Sequence, residues 1–259
     1  FQRLENDIKG TPERQLGEST IPAESPDWKN IRDLAFDLLE RSHDIQVCVH
    51  LVCSLVHLNG LSGLRQSLAL IQKLLNNYWD DVYPQQDSDD DYPVLRMNVL
   101  SRLNDYQSLI GPLNHIPLTM SKRFGYFSWY DYEVAEGKVA PTDDTKEFSS
   151  VDIISAAFTD TDQSFLVQEL ADIKSAVEHL KAILDITNEK VGEINSPDLS
   201  NLIYLLKSID KLLKQHIDAN QQIEAAQDDN EQNNHVDSIN SDKTLSQHFT
   251  GEIRNRDDV

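Results

Sequence analysis

The side chains of this sequence with the clearest capacity for chemistry are His50 and His57, the aspartates of residues 87–91, and a short Gly-x-x-Gly element at Gly60 and Gly63. The histidines could serve as a general base or as metal ligands, and an acid from residues 80–91 could complete a hydrolytic pair. Their spacing argues against a shared ion, because a separation of seven places them two helical turns apart rather than one. No carboxylate stands between them, so the His-Glu-x-x-His pattern of zinc hydrolases is missing. They read first as part of a solvated or interfacial stripe, with a buried polar network and a catalytic role as the alternatives. A calcium loop begun at Asp87 needs Gly at its sixth place and Glu at its twelfth, where Tyr92 and Asn98 stand. Those acids are read instead as caps of the following helix and partners of Arg96. Gly60-Leu61-Ser62-Gly63 resembles a nucleophile elbow, but Leu64 occupies the last position and no strand precedes it, so it reads as a helix-packing turn. With no P-loop, dinucleotide fingerprint or Cys-x-x-Cys, the sequence names no catalytic residue, metal ligand or cofactor site.

The histidines belong to the stretch that organises the chain, Asp44 to Leu58, closed by Asn59-Gly60. Its apolar residues cover nearly the whole helical circumference, which marks a buried helix, and Gln46, His50, Ser54 and His57 form its one polar stripe. Asp44 is a good N-cap and Asn59-Gly60 a good C-cap. Before it, Phe1 to Lys9 has helical spacing and a loop runs to Glu24. Ser25-Pro26-Asp27 then opens a helix with Trp28, Ile31, Leu34, Ala35 and Leu38 on one face. After it, Leu61, Leu64, Leu68, Ile71, Leu75 and Tyr78 define a second helix ending at Trp79, with Gly60 and Gly63 allowing close approach. A helix from Pro93 to Asn104 is expected to turn Leu95, Val99 and Leu103 inward. Residues 111–127 suit a small hairpin or an irregular connection, and Trp129 to Glu136 a short helix. The aromatic side chains of Phe124, Tyr126, Phe127, Trp129, Tyr130 and Tyr132 suit either a contact surface or local packing.

From Asp162 the apolar residues fall into a heptad seam, Leu166, Leu170, Ile173, Val177, Leu180, Leu184, Thr187, Val191 and Ile194, broken at Asn195-Ser196-Pro197-Asp198 and resumed from Leu202 to Ile223. Two helices of roughly 45 Å each should fold back as an antiparallel hairpin, weakening at His216 and Asn220. The expected organisation is an all-α chain: a multi-helix domain with a buried central helix over residues 1–160, a helical hairpin over 161–226, and a disordered polar tail over 227–259.

A hydrophobic content of 39% suffices for a core, and a net charge of −21 works against binding nucleic acid or an anionic membrane. Basic partners, or solubility alone, fit it better. Cys48 and Cys53 point apart on one helix and read as apolar core residues in a reducing, cytoplasmic compartment. No unbroken apolar run reaches the ~18 residues of a membrane span. A start at Phe1 rather than Met suggests a piece of a longer protein.

An ordered series of short motifs resembles a known family. Pro26-Asp27-Trp28, Leu38-Leu39-Glu40-Arg41-Ser42-His43-Asp44, Gly60-Leu61-Ser62-Gly63-Leu64, Tyr78-Trp79-Asp80-Asp81-Val82-Tyr83-Pro84, Asp89-Asp90 and Arg96-Met97-Asn98-Val99-Leu100 are similar to the ImpA-type amino-terminal domain of the TssA proteins of bacterial type VI secretion systems. The likeness extends over about residues 1–215, with His43 and Ile45 as mild departures. It implies a cytoplasmic, non-enzymatic structural factor without cofactor or metal that helps prime the baseplate and guide assembly of the contractile tail. Its implied partners are other components of the secretion apparatus: baseplate, tail tube and sheath, and membrane complex. Ring assembly in that family usually resides in carboxy-terminal regions. The resemblance makes Trp28, Arg41, Ser42, Asp44, Gly60, Gly63, Trp79, Pro84, Asp90, Arg96 and Asn98 architectural. The rival readings are an adaptor that captures effectors or basic partners, and a hydrolase using His50 or His57.

Overall fold

The computed structural model describes residues 1–11, 14–16, 19–142 and 148–245, with backbone alone at 16, 19, 21 and 223–245. Residues Phe1–Lys214 form one compact unit and a second begins at Gln215. The chain starts with helix α1 (Gln2–Asp7) and two short antiparallel strands, β1 (Arg14–Leu16) and β2 (Ser19–Ile21), paired Arg14↔Ile21 and Leu16↔Ser19. This hairpin replaces the expected loop, and a Thr11↔Glu24 bridge extends it. Three-residue strands are too short for alternation to show in a sequence, although Thr20 and Ile21 favour extended backbone. Helix α2 (Trp28–Leu39) is capped by Asp27, whose carboxylate accepts from the amides of Lys29 and Asn30 at 3.1 Å. Its inner face buries Ile31 and Ala35 against Leu4 and against Val47, Leu51 and Leu55, each large side chain contributing about 1.5–3 kcal/mol.

Helix α3 (Ile45–Tyr78) is two helical halves joined at Gly60, whose φ of 60° and ψ of −137° lie outside helical space. The chain folds back there. The His43 and Tyr78 rings meet at 4.3 Å, and the amide of Ile45 donates to the Tyr83 carbonyl at 2.9 Å. Gly63 lies so close to the Leu55 carbonyl that a Cβ would overlap it. Although α3 is apolar and long enough to cross a membrane by length and composition, most of its apolar residues are buried against protein and the two halves double back.

Helix α4 (Val94–Ser101) and a 3₁₀ turn (Arg102–Asn104) bury Val99, Leu100 and Leu103. Leu95, expected inward, is 59% exposed. The first turn of α4 is oriented by Arg96 and Met97, which point into the protein, and one residue back along a helix lies about 100° away. A π-helical turn (Tyr106–Ile110) leads into α5 (Gly111–Asn114), and the connection to Ser128 is irregular, held by bridges Pro117↔Ser128 and Ser121↔Gly125. Helix α6 (Trp129–Ala135) opens with a capping box between Ser128 and Asp131. Helix α7 (Val151–Asp160), which the sequence reading passed over, follows with Ile154, Ala157 and Phe158 buried.

Helices α8 (Gln163–Val191) and α9 (Ser200–Leu245) carry the seam. Leu166, Ile173, Leu180 and Thr187 are buried along one side of α8, and Asp172, Ala176 and Ile183 along another that faces α3. Arg65 pairs with Asp172 at 2.5 Å and Gln72 with His179 at 2.6 Å. Both sequence numbers rise together, so the second half of α3 and α8 run parallel. Ile194, assigned to the seam, is fully exposed because the chain leaves the helix at Gly192, where φ is 83°. Leu184 of α8 and Ile203, Tyr204 and Lys207 of α9 line one apolar cavity of about 420 Å³, which brings the end of one helix beside the start of the next. Helix α9 continues to Leu245 where a disordered tail was expected from 227. That stretch contains neither Gly nor Pro, the two residues least compatible with a helix interior. Residues 246–259 lie outside the described residues.

Candidate functional site

The motif residues concentrate where the turn after α3 meets α4. The segment 79–84 leaves its carbonyls pointing inward, and Arg96, 2% exposed, reaches them from the first turn of α4. Its guanidinium donates to the carbonyls of Trp79 at 2.7 Å, Val82 at 2.8 Å and Pro84 at 3.0 Å, and lies 4.8 Å from the centre of the Trp79 ring. Burial draws its pKa below the ordinary arginine range, with Asp80 opposing. Five fixed donors on a planar fork suit three converging carbonyls in a way a lysine cannot reproduce. The bond between Tyr83 and Pro84 is cis.

The acids of residues 87–91 take no part in this. Arg96, expected to pair with them, makes no ion pair among the described residues, and α4 has Pro93 at its N-cap position with no side-chain cap. The carbonyls of 79–84 outcompete the acids because they are already buried and require donors, whereas the aspartates are largely solvated. The Asp90 backbone closes a turn, its amide donating to the Asp87 carbonyl and its carbonyl accepting from Gln86. Among the described residues no group of three or more His, Cys, Asp or Glu is placed to hold an ion.

Asp44 caps α3, accepting from the amides of Gln46 at 2.8 Å and Val47 at 3.4 Å. Burial raises its pKa and those two amides pull it back. Around it, the Tyr83 amide donates to the His43 carbonyl at 2.8 Å, fastening residues 79–84 to the start of α3. Ser42 donates to the Leu38 carbonyl and Arg41 to the Asp37 carbonyl, both closing the end of α2. Arg41 is exposed. Asn98 is also exposed and lines a polar cavity of about 390 Å³ with Ser101, Arg102, Asn104, Asp105 and Asp198. Trp28 opens α2 and lies at the other end of the first half of α3.

The polar stripe of α3 is divided among several tasks rather than forming one solvated face. Gln46 donates to Glu5 at 2.9 Å, Ser54 donates to the Trp28 carbonyl at 2.6 Å, and His57 stacks on the Trp28 ring at 3.9 Å. His50 is 2% exposed, and neither ring nitrogen meets a hydrogen-bond partner among the described residues. Burial, with Arg102 nearby, pushes its pKa down to about 4. A hydrolytic pairing of His50 with an acid of 80–91 is not assembled. The described residues place no carboxylate against either ring nitrogen, and the charge acting on His50 is that of Arg102.

Sequence reasoning missed Asp172, buried and paired with Arg65 across α3 and α8. A lone acid on the same helical row as Ala176 and Ile183, off the heptad seam, was the available signal. Glu169, one turn earlier, is pushed up to about 7 by burial and by Asp172.

Comparison with known proteins bears on these motifs. Residues 1–105 match the family model described as ImpA, N-terminal, type VI secretion system. Over 208 residues, 80% of this chain, the sequence is 38% identical to the type VI secretion system component TssA1 of Pseudomonas aeruginosa, and it spans 59% of that relative's length. The fold is like that of the N-terminal domain, including the conserved ImpA N-terminal region, of the TssA component of the Burkholderia cenocepacia type VI secretion system. That likeness has a TM-score of 0.68 and 24% identity and covers 85% of this chain and 86% of that one. The motifs that gather around Arg96, Asp44 and Gly63 thus sit in an all-helical chain that carries the ImpA-type N-terminal domain of type VI secretion TssA components.

Proposed function

We propose that this chain is a non-enzymatic docking module that acts in the cytoplasm during assembly of a type VI secretion apparatus. Its partners are components of the baseplate, the tail tube and sheath, or the membrane complex, and the longer protein's ring assembly is carried outside these residues. The observation that carries this reading is the use made of Arg96: its charge is spent on three backbone carbonyls, so the most distinctive motif residue holds shape and faces no substrate. Trp28, Asp44, Gly60 and Gly63 act in the same architectural sense, as a stacking partner, a cap, a turn and a point of close approach. The similarity to a TssA1 component over 208 residues supports the same reading.

The test is chemical crosslinking and co-purification of the full-length protein from cells with an active secretion system. Recovery of baseplate or tail components, lost on deletion of residues 1–214, is the expected result. Recovery of none of them, with the deletion leaving secretion intact, would end the proposal.

A further inference from the structure

The connection between α5 and α6 is a fixed projection with a surface unlike the rest of the chain. Ser121 organises it: its hydroxyl accepts from the amides of Phe124 at 2.8 Å and Arg123 at 3.2 Å and donates to the Asp160 carboxylate at 2.7 Å. Thr119 accepts from the Phe127 amide at 2.8 Å, and the Leu118 amide donates to the Phe127 carbonyl at 2.7 Å. The Met120 amide donates to Thr161 at 3.0 Å, so the loop is tied to the end of α7 at two points. From this frame Met120 and Tyr126 stand 51% and 64% exposed. Beside them Lys122 and Arg123 are exposed and make no ion pair among the described residues, with Arg123 lying 5.2 Å over the Phe124 ring.

Met, Tyr, Phe and Arg are the side chains that carry binding energy at protein interfaces, and a surface already held in place loses little entropy on docking. Two adjacent basic residues, both exposed, are conspicuous in a sequence with 44 acidic and 23 basic residues, where no other two adjoin. We infer that the loop 117–128 is a docking tip for another protein with an acidic surface, which seats Tyr126 and Met120 in a shallow apolar depression and meets Lys122 and Arg123 with carboxylates. The rest of this chain repels such a partner, so the cationic tip fixes where it lands. This deepens the docking role proposed above and rests on it, and it lies outside residues 1–105 that carry the family match.

The experiment places a photo-crosslinking phenylalanine analogue at Tyr126 of the full-length protein in cells with an assembled apparatus, with Tyr204 as an exposed control position. The expected result is one discrete protein adduct at 126, mapped to an acidic segment of its partner and reduced by about tenfold in a Lys122→Glu/Arg123→Glu variant of unchanged circular dichroism. It should persist in Lys122→Arg/Arg123→Lys. An adduct indifferent to charge reversal, an adduct of two copies of this chain, a lipid adduct, or no adduct would each overturn the inference. Co-purification of the same cells distinguishes the two levels: components recovered without a Tyr126 adduct remove the loop alone, and no components recovered removes the docking role.

Discussion

Replacing Arg96 by alanine removes the donors of three buried carbonyls at once. Each hydrogen bond to a charged group contributes roughly 1.5–3 kcal/mol, but the three share one desolvated cation, and water entering the space left behind recovers part of the loss. The expected cost is that of breaking a buried charged set, about 3–5 kcal/mol, a large share of a total stability on the order of 5–15 kcal/mol. Arg96→Lys keeps the charge but not the fork: Nε and the two Nη atoms each serve a different carbonyl, and one ammonium nitrogen cannot stand at all three positions. It should lose about 2 kcal/mol. Urea unfolding followed by far-ultraviolet circular dichroism measures both. If both variants unfold at the wild-type midpoint, Arg96 does not hold the turn and the architectural reading of the motif fails.

His50→Leu should stabilise the protein, because it replaces two unpartnered buried nitrogens by methyl groups. The gain should widen in acid. The folded imidazole titrates near 4 against 6.5 in the unfolded chain, so its contribution is complete above pH 6.5. As pH falls toward 4 the wild type loses roughly 3 kcal/mol that the leucine variant does not; parallel pH profiles of the two would count against the burial of His50. Glu169 has the opposite sign. Its folded carboxyl, raised to about 7 from 4.5, costs stability as pH rises between those values, and Glu169→Gln should gain roughly 1–2 kcal/mol at pH 8 and nothing at pH 4 after allowance for solvent screening. Gly63→Ala forces a Cβ into the Leu55 carbonyl and should cost roughly 3 kcal/mol, seen as a lower Tm; an unchanged melting curve would place the two halves of α3 further apart.

The elements easiest to read were those that repeat a signal. The apolar circumference of residues 45–56, the Asp44 cap, the break at Gly60 and the heptads of α8 each state one fact several times over. What escaped were features decided by tertiary contact. The β1–β2 hairpin is too short to show a period, whereas α7 carries one that was passed over, Ile154, Ala157 and Phe158 following the Ser150 cap. Arg96 could be recognised as a motif residue, but its choice of carbonyls over neighbouring aspartates depends on how the chain turns at residues 79–84. His50 looked like part of a polar stripe because spacing alone does not tell which neighbours cover a face; the fold buries it, with Arg102 of the 3₁₀ turn nearby.

The central claim is that this chain contributes surfaces and converts no substrate. Cells expressing a fluorescent sheath subunit and full-length protein with His50→Leu and His57→Gln, checked for intact folding by circular dichroism, test it most directly. The account predicts sheaths at wild-type frequency in these cells and none when residues 1–214 are deleted. A correctly folded histidine variant that assembles no sheaths would contradict it.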